Sequence, residues 1–392
     1  MNKFSKVTPE GTKDYLFDEC MARRKIESAL ANLFKSCGYK KVITPTLEFF
    51  DVYDRESSGI SQEDLFVLSD SRGRLMALRA DNTLPIARIT ATRLQYTEPP
   101  VRLYYTQQVF KRCKTYSGHS NETSQSGIEL IGAGGYKADM EILTMAFDAL
   151  ESCQAPDYRI EIGHAGYFRE LIGKLNTDDA TKELIAEYIE TKNCIALNEI
   201  LDKMGDSKVI SAIRRIPRLF GGEEVLDEAL ALYSGSEAKA SIEYIRRIFN
   251  SLKALGLDKK IDIDLSLVHR NNYYTGIVFR GYIEGSGLIA LSGGRYDNLI
   301  GEFGKDMPAT GFGVDINALS KAMLKRGDVE EVEAPEVLIF SEEGFEAKGI
   351  AYAKELREKG VTCEYSVAET LEEAKAYAEK MGIKKIDIIN EK

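Results

Sequence analysis

Three separated stretches of this 392-residue chain concentrate side chains able to bind or exchange protons. They are Asp81 and Thr83 in Leu78 to Thr83 (LRADNT), Gln125 and Glu129 in Gln125 to Ile131 (QSGIELI), and Tyr273 and Tyr274 after His269-Arg270-Asn271-Asn272. Two carboxylates, an amide and paired phenols suit a zwitterion whose ammonium needs acceptors and whose ring needs a hydrogen-bonding base. An amino acid with an imidazole side chain meets that description, although composition alone does not select it. Taken singly, an acidic strand residue is usually a solvated or paired surface group, and adjacent tyrosines are usually the edge of a core. Gly293-Gly294-Arg295-Tyr296-Asp297 reads either as part of the same wall or as a bulge with an ion-paired arginine. No carboxylate or nucleophile stands at a readable spacing from His269, so a structural hydrogen-bonding role is expected for it.

These residues need rigid supports, and the hydrophobic pattern supplies them. Met21, Ile26, Ala29, Leu30, Leu33 and Phe34 follow helical spacing over Phe17 to Cys37, with Gly38 where a left-handed cap belongs. Tyr39 to Tyr53 begins as a strand and bends at Pro45. A hairpin around Ser69 to Gly73 leads into LRADNT and then a helix, Leu84 to Leu94. Arg102 to Lys111 and Gln125 to Ile131 read as strands. The second alternates Gln125, Gly127 and Glu129 on one face with Ser126, Ile128 and Leu130 on the other. Lys137 to Ser152 reads as a helix and Tyr158 to Ile162 as a strand. A long helical insertion spans about 167–255, with hinge signals at Thr177 to Asp179, Asp206-Ser207 and Gly221-Gly222. The segment Ser266 to Asn317 supplies the last strands of the sheet, and a helix over Gly311 to Arg326 is expected to back them. This partition gives a core over 1–326, an acidic linker over 327–335 and a βαβαβ tail over 336–392, with parallel strands and right-handed crossovers.

Charge and composition narrow the function. A net charge of -10 provides no general basic field for phosphate backbones. From Glu333 to the end, 9 Lys/Arg face 14 Asp/Glu, a poor surface for RNA. The six cysteines form no CxxC pair and the three histidines are scattered, so neither a disulfide framework nor a structural zinc site is expected. Lys3 and Lys6 are followed by a polar Thr-Pro-Glu-Gly run, and no segment offers the roughly 20 apolar residues of a spanning helix. A cytoplasmic location without membrane contact is expected.

Against this reading, the chain resembles the class II histidyl-tRNA synthetase core over roughly residues 7–325. GYKKVITPTLEFFDVY resembles the first motif of that class, VFKRCKTYSGHSNETSQSGIELIG the second, and NNYYTGIVF with SGGRYDNL the histidine-binding segment. The resemblance implies an α+β fold, an antiparallel sheet flanked by helices, with the insertion and a small C-terminal α/β domain. It also implies a homodimer across the first motif and a histidine site made of Asp81, Thr83, Lys111, Gln125, Glu129, His269, Tyr273 and Tyr274. In it, Asp81, Thr83 and Gln125 hold the α-ammonium, Glu129 and Tyr274 the imidazole, and Tyr273 closes the wall.

The phosphate-handling groups of that family are altered. Lys111 and Cys113 stand where the second motif carries an arginine and a glutamate, His269 aligns with another arginine, and Gly311 to Asn317 contains none. Lysine does not reproduce the bidentate fork of arginine. Losing several charge-stabilising groups removes the main support for acyl-phosphate activation. NNYYTGIVFRGY, LRADNTLPIAR and the short tail resemble instead the regulatory subunits of short-form ATP phosphoribosyltransferase. That family implies no catalytic residue, no metal and no cofactor. It implies a hetero-octamer with the short catalytic subunit, L-histidine as the inhibitory effector, and no tRNA. The rival reading is an active histidyl-tRNA synthetase or a histidine-adenylating relative in which Arg112, Arg270 and Arg295 replace the missing phosphate ligands. Histidine-dependent ATP–pyrophosphate exchange separates the two: the regulatory reading predicts none from the purified chain, and clear exchange contradicts it.

Overall fold

The structure, a computed structural model, describes residues 4–55, 59–113, 120–268, 274–284, 286–328 and 333–391. His119, His269, Arg270, Asn271, Asn272 and Tyr273 therefore lie outside the described residues. The chain divides into two compact units, 1–328 and 329–392.

In the first unit, α1 (Asp18–Ser36) buries Ala22, Ile26, Leu30 and Phe34, a four-residue spacing that lays one stripe on the core. Gly38 follows it at φ +83°, a conformation that glycine adopts without a Cβ clash. The segment expected to bend at Pro45 separates into strands of two different sheets. β1 (Lys40–Lys41) joins the large sheet, whereas β2 (Leu47–Phe49) joins a small one with β3 (Val67–Ser69) and β4 (Leu75–Leu78), in the order β2-β4-β3. α2 (Thr83–Thr92) leaves this small sheet immediately after Asp81 and Asn82.

The large sheet continues with β5 (Val101–Phe110) and β6 (Glu122–Ile131), then, after α3 (Tyr136–Ser152), with β7 (Tyr158–His164). The insertion follows as α4 (Ala165–Gly173), α5 (Asp179–Glu190), α6 (Cys194–Asp202), α7 (Lys208–Arg215), the short β8 (Phe220–Gly221), α8 (Glu224–Leu232) and α9 (Ser236–Ala254). Two of its three hinge signals supply N-caps: the side chains of Asp178 and Ser207 accept from the backbone N–H groups of Thr181 and Ile210, whereas Gly221 lies in β8. β9 (Ile261–Asp264), β10 (Ile277–Ile283), β11 (Ile289–Arg295) and β12 (Ala309–Asp315) complete the sheet, and α10 (Ile316–Arg326) closes the unit.

The sheet order is β1-β5-β6-β12-β11-β10-β7-β9-β8. From β5 to β7 every neighbouring pair is antiparallel. Parallel pairs, β1 with β5 and β7 with β9, occur only toward the flanks. One face is apolar and aromatic: Phe34 of α1 lies with its ring centroid 6.0 Å from both Tyr104 and Phe312, and Phe312 lies 6.4 Å from Phe279. Gln125, Gly127 and Glu129 are on the opposite face, where α2 and the small sheet pack.

Two expectations are corrected here. Residues Gly311 to Asp315 are strand, because Gly311 and Gly313 pair with Glu129 and Gly127 on one side and with Gly294 and Ser292 on the other. A helix would leave both ladders unsatisfied. The helix begins only at Ile316, where Asp315 Oδ1 accepts from Ala318 N at 3.0 Å. Gly293 to Arg295 form regular strand and no bulge; the register shift on this ribbon falls at Gly281/Tyr282. The ion pair itself is present: Arg295 donates to Asp139 of α3 at 2.7 Å and to Asp297 at 3.0 Å.

In the second unit, β13 (Val337–Ser341), α11 (Glu346–Glu358), β14 (Cys363–Tyr365), α12 (Leu371–Met381) and β15 (Lys385–Ile389) form a parallel sheet in the order β14-β13-β15. β13 is apolar on both faces because both are covered: Val337 and Ile339 pack with Ala353 of α11, and Leu338 and Phe340 with Ala374 and Ala378 of α12. Arg295 and Asp139 have side chains only 7% and 1% exposed. Removing either partner strands the other charge, so Arg295→Ala or Asp139→Asn should lower unfolding free energy by about 3–5 kcal/mol in a denaturant titration.

Candidate functional site

On the polar face of the sheet a cavity of about 190 Å³ is lined by Asp81, Thr83, Tyr105, Lys111, Gln125, Glu129, Tyr274 and Tyr296, among others. Five of these side chains come from the three separated polar stretches of the chain: Asp81, Thr83, Gln125, Glu129 and Tyr274. Lys111, exposed just beyond the end of β5, completes the part of the expected set that lies within the described residues. The volume is below the roughly 300–1,000 Å³ of drug-sized sites. It suits an amino acid.

Glu129 is the most deeply buried carboxyl lining the cavity, 1% exposed. Its Oε1 accepts from Thr83 Oγ1 at 2.9 Å and its Oε2 accepts from the Tyr296 hydroxyl. Burial pushes this carboxyl up to about 8, against the two hydrogen bonds that favour its charged form. The close fit depends on a missing methyl: a Cβ on Gly311 would stand 1.9 Å from Glu129 Oε2 and 2.3 Å from Ile128 O. Gly294 likewise makes room for the Tyr274 ring, which a Cβ would meet at 2.6 Å. Burial, then the nearby Glu129, raises the Tyr274 hydroxyl well above its usual range, so it remains a neutral donor and acceptor.

The Asp81 carboxyl is also raised by burial, an effect opposed first by the Lys111 ammonium. Asp81 Oδ1 accepts from Leu84 N at 3.2 Å and so fixes the first turn of α2. Behind it, Arg79 is 3% exposed and donates to the carbonyls of Thr44, Pro45 and Gln108, each at 2.8 Å. This buried guanidinium ties the Asp81 loop to the bend at Pro45 and to β5. A second chain of bonds runs from Thr44 through Gln107 and Asn82 to Gln125: Gln107 Nε2 donates to Asn82 Oδ1 at 2.8 Å, and Asn82 Nδ2 to Gln125 Oε1 at 2.9 Å.

These bonds already engage some of the residues to which the resemblance gives roles. Thr83 is engaged with Glu129, at the imidazole end of the expected site. Gln125 Oε1 also accepts from the Tyr105 hydroxyl at 3.4 Å, so its amide acts in the cavity as a donor, better matched to a carboxylate than to an ammonium. Sequence reasoning missed Tyr296, Asn82, Arg79 and Gln107. Strand alternation carries the signal for Tyr296: it continues the Ser292, Gly294 face, while Arg295 must point to the other side. Arg295 is therefore held by Asp139 away from this cavity and supplies no phosphate ligand. Among the described residues, no group of His, Cys, Asp and Glu is placed to hold a metal ion, and no helix is long and apolar enough to cross a membrane.

Comparison with known proteins gives this geometry a context. Residues 11–319 match the family model for histidyl-tRNA synthetase. An ATP phosphoribosyltransferase regulatory subunit of Clostridium kluyveri is 38% identical, over 99% of this chain and 100% of the relative. One of Clostridium acetobutylicum is 36% identical, over 98% of this chain and 96% of the relative. A crystal structure of an ATP phosphoribosyltransferase regulatory subunit/histidyl-tRNA synthetase from Bacillus halodurans superposes with a TM-score of 0.85 at 27% identity, covering 98% of both chains. Histidyl-tRNA synthetase from Nostoc sp. PCC 7120, at 22% identity, shares the fold with a TM-score of 0.77 over 97% of this chain and 90% of that one.

The titration of Glu129 has a sign. Its native value, about 8, lies above the ordinary 4.5, so the folded chain holds this proton across that window while the unfolded chain releases it. Stability is lost as pH rises from about 4.5 to about 8. Glu129→Gln removes this loss, so the melting temperature of the variant relative to the parent should climb between pH 5 and pH 8 and level off above. Gly311→Ala should cost about 1–3 kcal/mol at any pH, because its methyl meets backbone as well as carboxylate.

Proposed function

Since the chain belongs to the ATP phosphoribosyltransferase regulatory subunits, a family with a histidyl-tRNA synthetase-like fold, we propose that it binds free L-histidine in the Glu129 cavity and passes that occupancy to a short-form catalytic subunit. The chain is a regulatory subunit without a catalytic step of its own. In this reading the catalytic partner needs the subunit for activity, and histidine bound here inhibits it.

The observation that carries the reading is the polarity of the cavity. At one end Glu129 and Tyr274 can exchange hydrogen bonds with the two imidazole nitrogens, one donor and one acceptor in the neutral ring. At the other end Asp81 offers an acceptor to the α-ammonium, and Lys111 with the Gln125 amide offers donors to the α-carboxylate. His269 and Tyr273 belong to the same proposed set. A water molecule can bridge the shorter reach of Asp81.

The assembly proposed is a homodimer through the first-motif region, combined with catalytic subunits into a hetero-octamer in the cytoplasm, with no part for tRNA. Support for the homodimer comes from the small sheet. Leu47, Phe49, Leu68, Met76 and Leu78 share one face by their register. Leu47, Phe49 and Leu68 are 45%, 47% and 42% exposed, which leaves an apolar surface suited to a second copy.

Size-exclusion chromatography with a short-form catalytic subunit, followed by its activity with and without histidine, tests the proposal. A stable complex whose activity falls on adding histidine is expected; failure to associate contradicts it. Glu129→Gln and Tyr274→Phe should each weaken histidine inhibition at least tenfold, about 1.4 kcal/mol, while the complex persists. Unchanged inhibition in both would put the effector site elsewhere. Phe49→Asp should shift the isolated chain from dimer to monomer by light scattering.

A further inference from the structure

The cavity wall is tied to the helical insertion at points that histidine would not touch. Thr275, next to Tyr274, donates its N–H to Arg295 O at 2.8 Å, which anchors that side in the sheet. On the other side its carbonyl accepts from both Nη1 and Nη2 of Arg169 in α4, each at 3.4 Å. Arg169 in turn donates through Nε to Glu237 of α9 at 2.8 Å. Gly276 O accepts from Ala165 N, the first residue of α4, at 2.9 Å.

The stronger tie lies farther along β10. Arg280 stands in register opposite Ser292, which lines the cavity. It pairs at 2.5 Å with Glu190, the last residue of α5, and the two side chains are only 14% and 24% exposed. Such a pair is poorly screened, so charge added nearby changes its energy appreciably. Arg280 already acts on the Tyr274 hydroxyl, whose pKa it lowers against burial. The insertion has its own apolar interior, including Ile185, Ile189, Leu197, Leu201 and Leu226, so a pull on Glu190 is transmitted to packed helices and not absorbed by a loop.

We infer that Arg280 and Glu190 are positioning residues that make the helical insertion the reader of the cavity: an occupant bearing both charges of an amino acid tightens the contact between β10 and α5 and so orders α4 and α5. This rests on the proposed histidine site and supplies the route by which its occupancy leaves it. Linkage requires reciprocity: if histidine orders the insertion, loosening the insertion must weaken histidine binding, by at most the coupling factor.

The test measures L-histidine binding by calorimetry and amide hydrogen exchange with and without saturating L-histidine, on the full chain, Glu190→Gln, and the charge-swapped Glu190→Arg/Arg280→Glu. In the parent, histidine should slow exchange across α4 and α5. In Glu190→Gln, affinity should fall within the about 5–150-fold span of such couplings and the slowing in α5 should vanish, while the swapped pair restores both in part. The swap, with melting curves for every variant, separates this role from a merely structural one, which would lower the melting temperature and leave the exchange response intact. Histidine binding that leaves α4 and α5 unchanged in the parent, or that slows α5 equally in Glu190→Gln, overturns the inference alone. No histidine binding to the parent overturns the cavity reading and the inference with it.

Discussion

A carboxylate 1% exposed in the middle of a sheet must be hydrogen-bonded or neutral, and much of the first unit is arranged around meeting that demand at Glu129. Two hydroxyls from separate elements converge on it, Thr83 from the first turn of α2 and Tyr296 from beyond β11. The neighbouring strand gives up a side chain at Gly311 to admit it. α2 can present Thr83 there only because Arg79 and Asn82 fix the loop before it to Thr44, Pro45 and Gln107. The bend after β1, the small sheet and the cavity are thus one mechanical unit. A deep carboxyl that donates when protonated and accepts when ionised matches imidazole, which offers one donor and one acceptor when neutral and two donors when charged.

The same geometry bears on how the proposed amino-acid site would serve regulation in place of activation. Arg295, which follows Gly293 and Gly294, is turned to the opposite face and neutralised by Asp139. Lys111 remains at the mouth as an exposed point charge, adequate for a carboxylate and lacking the planar fork that a transferring phosphate needs. Asp315, on the strand that borders the cavity, is occupied in capping α10. Binding energy in such a site has no bond to make or break, so it is available to shift an equilibrium between conformations of the assembly.

Much of this was legible in the sequence because it was periodic. Ile26, Leu30 and Phe34 declare α1, although the stripe continues through buried Ala22 and not through the exposed Met21 that the spacing also suggested, and alternation puts Gln125 and Glu129 on one face of β6. The caps at Asp178 and Ser207 mark where insertion helices begin. What escaped was set by neighbours distant in sequence. Gly311 to Asp315 carry no mark of being a central strand until β6 and β11 flank them. Arg79 and Gln107 look like ordinary polar residues until folding encloses them among carbonyls and amides. Tyr296 was hidden by the arginine beside it, although the period of two already assigned them to opposite faces.

The most direct measurement is a crystal structure of the full chain grown with L-histidine. The account predicts the amino acid in the Glu129 cavity, with one ring nitrogen about 2.7–3.2 Å from a Glu129 oxygen, the other ring nitrogen facing the Tyr274 hydroxyl, and the α-ammonium toward Asp81. Histidine ordered at another place, with only water beside Glu129, would contradict it.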